Sequence, residues 1–143
     1  MAEFLDIVIR PMTADDYDEV FAMWQITTKR ALSDADSREN IAFYLDRNPG
    51  MSQIAEIGGK VVGTVLCGHD GRRGFIHHMA VLPEYRRHQI AKRMAEKAIK
   101  SLADAGIAKT HIFCYTNNSL GQSFWKAMGW EKRDDVYVFS CYN

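Results

Sequence analysis

Apolar and polar residues alternate from Phe4 to Arg10, with Leu5, Ile7 and Ile9 on one side, and this period of two predicts a first strand. The period then changes. Thr13 and Asp16 form a capping box just after Pro11, and Tyr17, Val20, Phe21 and Trp24 follow at helical spacing. A polar stretch around Ser33 to Ser37 leads to a second, short helix carrying Ile41, Tyr44 and Leu45, which Asn48-Pro49-Gly50 ends. Gln53 to Ile57, a Gly58-Gly59 pair and Lys60 to Gly68 read as a hairpin, because two glycines suit the turns that need positive φ. Asp70-Gly71 opens the next turn, and Phe75 to Leu82 forms another strand.

A long amphipathic helix is predicted from Gln89 to Ala105. Ile90, Met94, Ala95, Ala98, Ile99 and Leu102 make its apolar stripe, while Lys92, Arg93, Glu96, Lys97 and Lys100 take the other side. Gly106 is a suitable C-cap, and Thr110 to Tyr115 reads as a strand. Asn118 caps a short helix running to Met128, Gly129 closes it, and Tyr137 to Tyr142 reads as a final strand. The predicted order is β-α-α-β-β-β-α-β-α-β. This is an α/β (α+β) fold with a central mixed sheet flanked by helices.

The length of 143 residues suits one domain, 1–143, able to bury a core without disulfides or metals. Eighteen basic residues balance eighteen acidic ones, so nothing favours a nucleic-acid partner. No apolar run approaches the ~20 residues of a membrane span, and the start lacks a signal-peptide pattern, so a cytoplasmic, membrane-free protein is expected. Cys67, Cys114 and Cys141 are an odd, widely spaced set in strand-like contexts, which reads as buried free thiols in a reducing compartment. The histidines and cysteines lack zinc-ligand spacing, so no metal is expected.

Any attraction for phosphate must therefore be local. The segment Val81-Leu82-Pro83-Glu84-Tyr85-Arg86-Arg87-His88-Gln89-Ile90-Ala91 takes an apolar strand through a proline turn into the basic helix. Unpaired N–H groups at the helix start, its dipole, and Arg86, Arg87 and His88 together make an anion site suited to phosphate. The glycine patterns of a Walker loop or a dinucleotide fingerprint are missing.

This segment resembles the acetyl-CoA motif of the GCN5-related N-acetyltransferase superfamily. Ile54 to Gly63 resembles that superfamily's central hairpin. Asn118 with Phe124, Trp125, Met128, Gly129 and Trp130 resembles its Asn-helix-Gly-aromatic motif. The Gly63 to Gly74 stretch further resembles a small bacterial subgroup of acetyltransferases. The resemblance implies an acyl-CoA-dependent N-acetyltransferase acting on a small amine or a protein amino group. It also implies that Met79, Ala80 and Val81 bind the pantetheine arm and thioester carbonyl. The turn Arg86, Arg87, His88, Gln89, Ile90 and Ala91 would take the pyrophosphate, with Asn118 and Trp125 beside the CoA arm. Gln89 stands where the superfamily has Gly or Ala, and Trp125 where it has a proton-donating Tyr. Indole N–H is no general acid near neutral pH.

An alkyl ammonium must lose a proton before it attacks a thioester. Superfamily members often place a Glu or His four residues before the Val of the turn, where His77 stands. Strand alternation is expected to send His77 and His78 to opposite faces, so that His77 is the expected base and Glu56, on the neighbouring hairpin, the reserve. Tyr115 and Tyr142 are the candidate acids, with solvent as the other route. Phe21, Trp24, Phe43 and Tyr44 read as core. Their cleft-facing edge and the Arg30 to Asp36 loop are where an acceptor would be selected. The final strand is the expected edge for a homodimer. The rival reading is a non-catalytic CoA-binding regulatory module on the same fold.

Overall fold

The structure, a computed structural model, describes residues 6–143. The Phe4 and Leu5 positions of the predicted first strand lie outside the described residues. The chain divides into two compact units, Met1–Phe113 and Cys114–Asn143.

The first unit is built on a five-stranded sheet. Its elements are β1 (Ile7–Pro11), α1 (Tyr17–Thr27), α2 (Arg38–Arg47), β2 (Gln53–Ile57), β3 (Lys60–His69), β4 (Gly74–Val81), α3 (Ile90–Asp104) and β5 (Thr110–Ile112). The strands lie in chain order, antiparallel through β4, and β5 joins β4 in parallel. That parallel pairing requires a crossover, and α3 supplies it. The β2–β3 hairpin closes through Gly58 and Gly59, both at positive φ (57° and 79°), which any Cβ would strain.

Alternation sorts the sheet's two faces. Gly63, Val65 and Cys67 of β3 face α3, where a Cβ at Gly63 would come within 2.9 Å of Met94. Ile90, Met94, Ala95, Ala98 and Leu102 of the predicted stripe fill that side, while Ile99 is only half-buried. On the other face Trp24 of α1 is wholly buried and donates its indole N–H to Thr64 Oγ1 at 2.9 Å. Phe43, expected in the core, is instead 71% exposed, while Phe21 and Tyr44 are half-buried. Helix α2 offers one fully buried apolar side chain, Ile41, with Tyr44 and Leu45 half-buried beside it.

Two expected strands differ. The Thr110 to Tyr115 strand stops at Ile112, because the parallel ladder ends with the Ile76–Ile112 pair. In the second unit, α4 (Ser119–Ala127) is capped by Asn118 as expected, its Oδ1 accepting from Gly121 N at 2.9 Å. The expected strand from Tyr137 to Tyr142 does not form. Strand propensity is expressed only where a partner edge takes up the backbone N–H and C=O groups. Within this unit Trp125 packs on Trp130 and Phe124, with ring centroids 4.4 and 4.8 Å away. Among the described residues no helix is long and apolar enough to cross a membrane.

Candidate active site

The strand-to-helix turn has the conformation that its residue types disfavour. After the Pro83–Tyr85 3-10 turn, Arg87 and Gln89 both take positive φ, 71° and 60°, where glycine is the natural choice. Gln89 thus keeps a left-handed backbone that glycine would adopt more easily. Helix α3 begins immediately after it, and no side chain caps its first turn. The early N–H groups of that turn therefore have no acceptor within their own helix, which is what an anion needs. Arg86 donates from Nε to Val81 O at 3.2 Å and ties the turn to the strand end. Arg86, Arg87, His88 and Gln89 are exposed, Ile90 is buried beneath them, and Ala91 is half-buried. These residues fit a diphosphate.

Gln89 also makes a stability prediction. A left-handed residue with a Cβ is strained by roughly 1–2 kcal/mol, partly offset by glycine's freedom in the unfolded chain. Gln89→Gly should leave stability unchanged or raise it by up to about 1 kcal/mol, and should not weaken coenzyme A binding. Thermal melts and calorimetry check both; a marked loss of stability would mean that the Gln89 side chain itself holds the turn.

Strand β4 contains the second feature. Thr64 pairs with Ala80 and Leu66 with His77, so His78 and Met79 together oppose one β3 residue. This is a β-bulge, and His78 sits in it at φ 48°. The bulge overturns the expected alternation. His77 meets Tyr44 of α2 at a 6.4 Å centroid distance, and His78 meets Trp24 of α1 at 4.6 Å, so both histidines face the α1–α2 layer. An inserted residue shifts the period-two pattern by one, which sequence alternation alone does not anticipate.

His77 lies among Tyr44, Phe75 and Phe113. Gly68 makes room for the first of these, since a Cβ there would come within 2.7 Å of the Tyr44 hydroxyl. Burial first, and His78 second, hold the His77 imidazole below the usual histidine range, while Asp36 pulls the other way. Neutral His77 is thereby favoured near pH 7. Its strand is open on one edge. The β5 ladder ends opposite Ile76, so Met79, Ala80 and Val81 have no β5 partner. An extended ligand fits such an edge, because strand addition supplies the missing hydrogen bonds.

Asp36 is the residue that sequence reasoning did not single out within the Arg30 to Asp36 loop. It is 5% exposed, and its Oδ1 lies 2.8 Å from His78 Nε2. The available signal was the Ser33-x-x-Asp36 spacing of a capping box, which the structure forms.

The remaining predicted residues belong to other elements. Glu56 is on β2, with β3 between it and β4, and its Oε1 accepts from Arg10 Nε at 2.7 Å. Arg10 also grips Asp16 with both terminal nitrogens, at 2.8 and 3.0 Å. Tyr115, Asn118 and Trp125 belong to the second unit; the first two are exposed and Trp125 is buried. Tyr142 is fully exposed. The three thiols are free but not alike. Cys67 is buried, and burial pushes its thiol up to about 12, whereas Cys114 is half-buried and Cys141 exposed. Cys141 was expected in a strand, and it is exposed because that strand does not form.

Comparison with known proteins assigns this architecture. Residues 14–130 match the acetyltransferase (GNAT) family. An acetyltransferase of Sodalis glossinidius is 30% identical over 131 residues, covering 91% of either chain. An uncharacterized N-acetyltransferase of Yersinia pestis is 28% identical over the same length, covering 91% of this chain and 92% of its own. Among solved structures, the PaiA N-acetyltransferase of Thermoplasma acidophilum in complex with coenzyme A shares the fold. Its TM-score is 0.80 at 19% identity, with 92% of this chain and 94% of that one covered. The aminoglycoside acetyltransferase AAC(6')-Iy with a CoA bisubstrate analog gives 0.77 at 18% identity, covering 96% and 99%. With its family match spanning most of the sequence, the chain belongs to the GNAT family of acetyltransferases and carries out acetyl-CoA-dependent acetyl transfer.

Proposed function

We propose that the acetyl acceptor is a primary amine of a small molecule or protein and that His77 is the general base. The observation that carries this reading is a half-buried imidazole on β4, beside the open edge formed by Met79, Ala80 and Val81. When bound, acetyl-CoA supplies an activated acyl group on a thiol leaving group. The α3 turn binds its diphosphate through backbone N–H groups, with Arg87 and His88 adding local positive charge. The β4 edge holds the pantetheine arm in an extended form and aims the carbonyl at backbone donors. His77, kept neutral by its surroundings, accepts the ammonium proton directly or through water. Because Trp125 stands in the sequence where the superfamily has its proton-donating Tyr, the departing thiolate takes its proton from solvent. A thiol reference pKa of about 8.5 makes that departure tolerable.

The same reading makes the protein cytoplasmic and bacterial, with bacterial relatives as support. It also allows a homodimer through the chain end, where Tyr137 and Phe139 are 89% and 93% exposed.

Thiol release from acetyl-CoA across a panel of primary amines tests the acceptor class. Turnover with at least one amine is expected; tight coenzyme A binding with no turnover on a broad panel would count against a primary amine as the acceptor. Arg87→Ala should weaken coenzyme A by roughly 1 kcal/mol or more and leave a pantetheine fragment unaffected. Equal losses for both ligands would count against the diphosphate turn.

A further inference from the structure

We propose that Asp36 and His78 form a positioning pair that fastens the acceptor-side loop to the β4 bulge and thereby fixes the strand's thioester-facing backbone. The proposal rests on the reading of the β4 edge as the acyl-CoA site. It adds two residues to which that reading gives no role.

The bulge is a strained place held from three directions. A residue other than glycine at φ 48° is unfavourable by on the order of 1–3 kcal/mol and persists only where its surroundings over-determine it. His78 meets that condition. Its Nε2 lies 2.8 Å from Asp36 Oδ1, its carbonyl accepts from Thr64 Oγ1 at 3.2 Å, and its ring lies against Trp24. Trp24 in turn donates to Thr64, so the ring contact and the carbonyl contact share one anchor.

Asp36 works at both ends. Its Oδ2 accepts from Ser33 N at 3.0 Å, which closes the 3-10 turn Asp34–Asp36. Its backbone carbonyl accepts from the Tyr17 hydroxyl at 2.6 Å. One carboxylate therefore shapes the loop and holds the bulge's imidazole. Both side chains are nearly closed to solvent, 8% for His78 and 6% for Asp36. A buried pair of this kind contributes little to net stability against an apolar replacement, so its use lies in specifying geometry. The geometry at stake is the direction of the N–H and C=O groups just after His78, where Met79 and Ala80 lie beyond the end of the β5 ladder. A misplacement of about 1 Å at a reacting centre can slow a reaction on the order of 10²-fold.

Infrared difference spectra of carbonyl-labelled acetyl-CoA bound to the full chain give a readout that needs no known acceptor. In the unmodified protein the bound carbonyl stretch should fall below that of the free ligand, reporting polarisation by backbone donors. Asp36→Asn and His78→Leu should lose most of that lowering while binding acetyl-CoA within about threefold of normal. The double variant should lose no more than the worse single one, as members of one unit do. His78→Gln, whose amide can still donate to Asp36, should retain part of the shift. A normal carbonyl stretch in Asp36→Asn, with only the melting temperature lowered, would make the pair merely structural and overturn the proposal. So would a wild-type stretch no different from that of the free ligand. Should Asp36→Asn fail to fold, equal signals from His78→Leu and His78→Gln would overturn it instead. Failure of the unmodified chain to bind acetyl-CoA at all would remove the functional reading and this proposal together, a result distinct from binding without a shift.

Discussion

His77→Ala should lower kcat for amine acetylation by 10²–10⁴-fold, on the order of what a positioned general base contributes, with coenzyme A affinity unchanged. The pH profile gives the sharper check. A base works only in its neutral form, so the unmodified enzyme loses activity as pH falls through the His77 pKa. Burial and His78 depress that pKa below the ordinary 6.5, so the acidic limb should lie below pH 6.5. Activity should therefore stay flat from neutrality down past that point and fall beneath it. In His77→Ala the limb attributable to this group should vanish. Full activity in the alanine variant, or a limb that stays put without the imidazole, would show that another group takes the proton. Folding should be little affected, because the half-buried His77 ring is held by ring contacts with Tyr44, Phe75 and Phe113.

Trp24→Ala should be the most destabilising single substitution in the α1 layer. Trp24 is wholly buried, supplies the donor to Thr64 and backs the His78 ring. Removing a buried aromatic of this size costs about 3–5 kcal/mol, a large share of the 5–15 kcal/mol typical of a whole domain. The melting temperature should fall on the order of 10 °C. Trp24→Phe separates the causes. It keeps most of the packing but drops the indole N–H, so the loss should shrink to roughly 1–2 kcal/mol. Chemical denaturation of both variants gives the comparison. A loss below about 1.5 kcal/mol for Trp24→Ala would mean that the α1 layer closes over the gap and that the indole is no anchor.

Both predictions depend on one local irregularity, and it marks the limit of what could be read from the chain. The long helix was legible almost to the residue, because Ile90, Met94, Ala98 and Leu102 repeat at a spacing that only a helix can bury on one side. The Gly58-Gly59 hairpin was legible because two consecutive positive φ angles demand glycine. The turn into α3 was legible as a strand, a proline and a basic helix in succession. The bulge in β4 was not. His77-His78 carries no glycine and no break in pattern, so alternation put the rings on opposite faces. The extra residue put them on the same one. The final strand was misread for a related reason. Tyr137 to Tyr142 has the composition of a strand, but composition does not provide a neighbour.

By itself the sequence determined the order of the elements from β1 to α4 and the apolar stripe beneath the sheet, since each follows from periodicity and turn chemistry. The tertiary structure alone decided that β5 lets go of β4 after Ile76, that both histidines turn toward α1 and α2, and that Asp36 reaches His78 across 42 positions of chain. Those outcomes depend on which strand edges find partners and on long-range contacts that can hold a strained backbone. Local residue patterns carry no record of either.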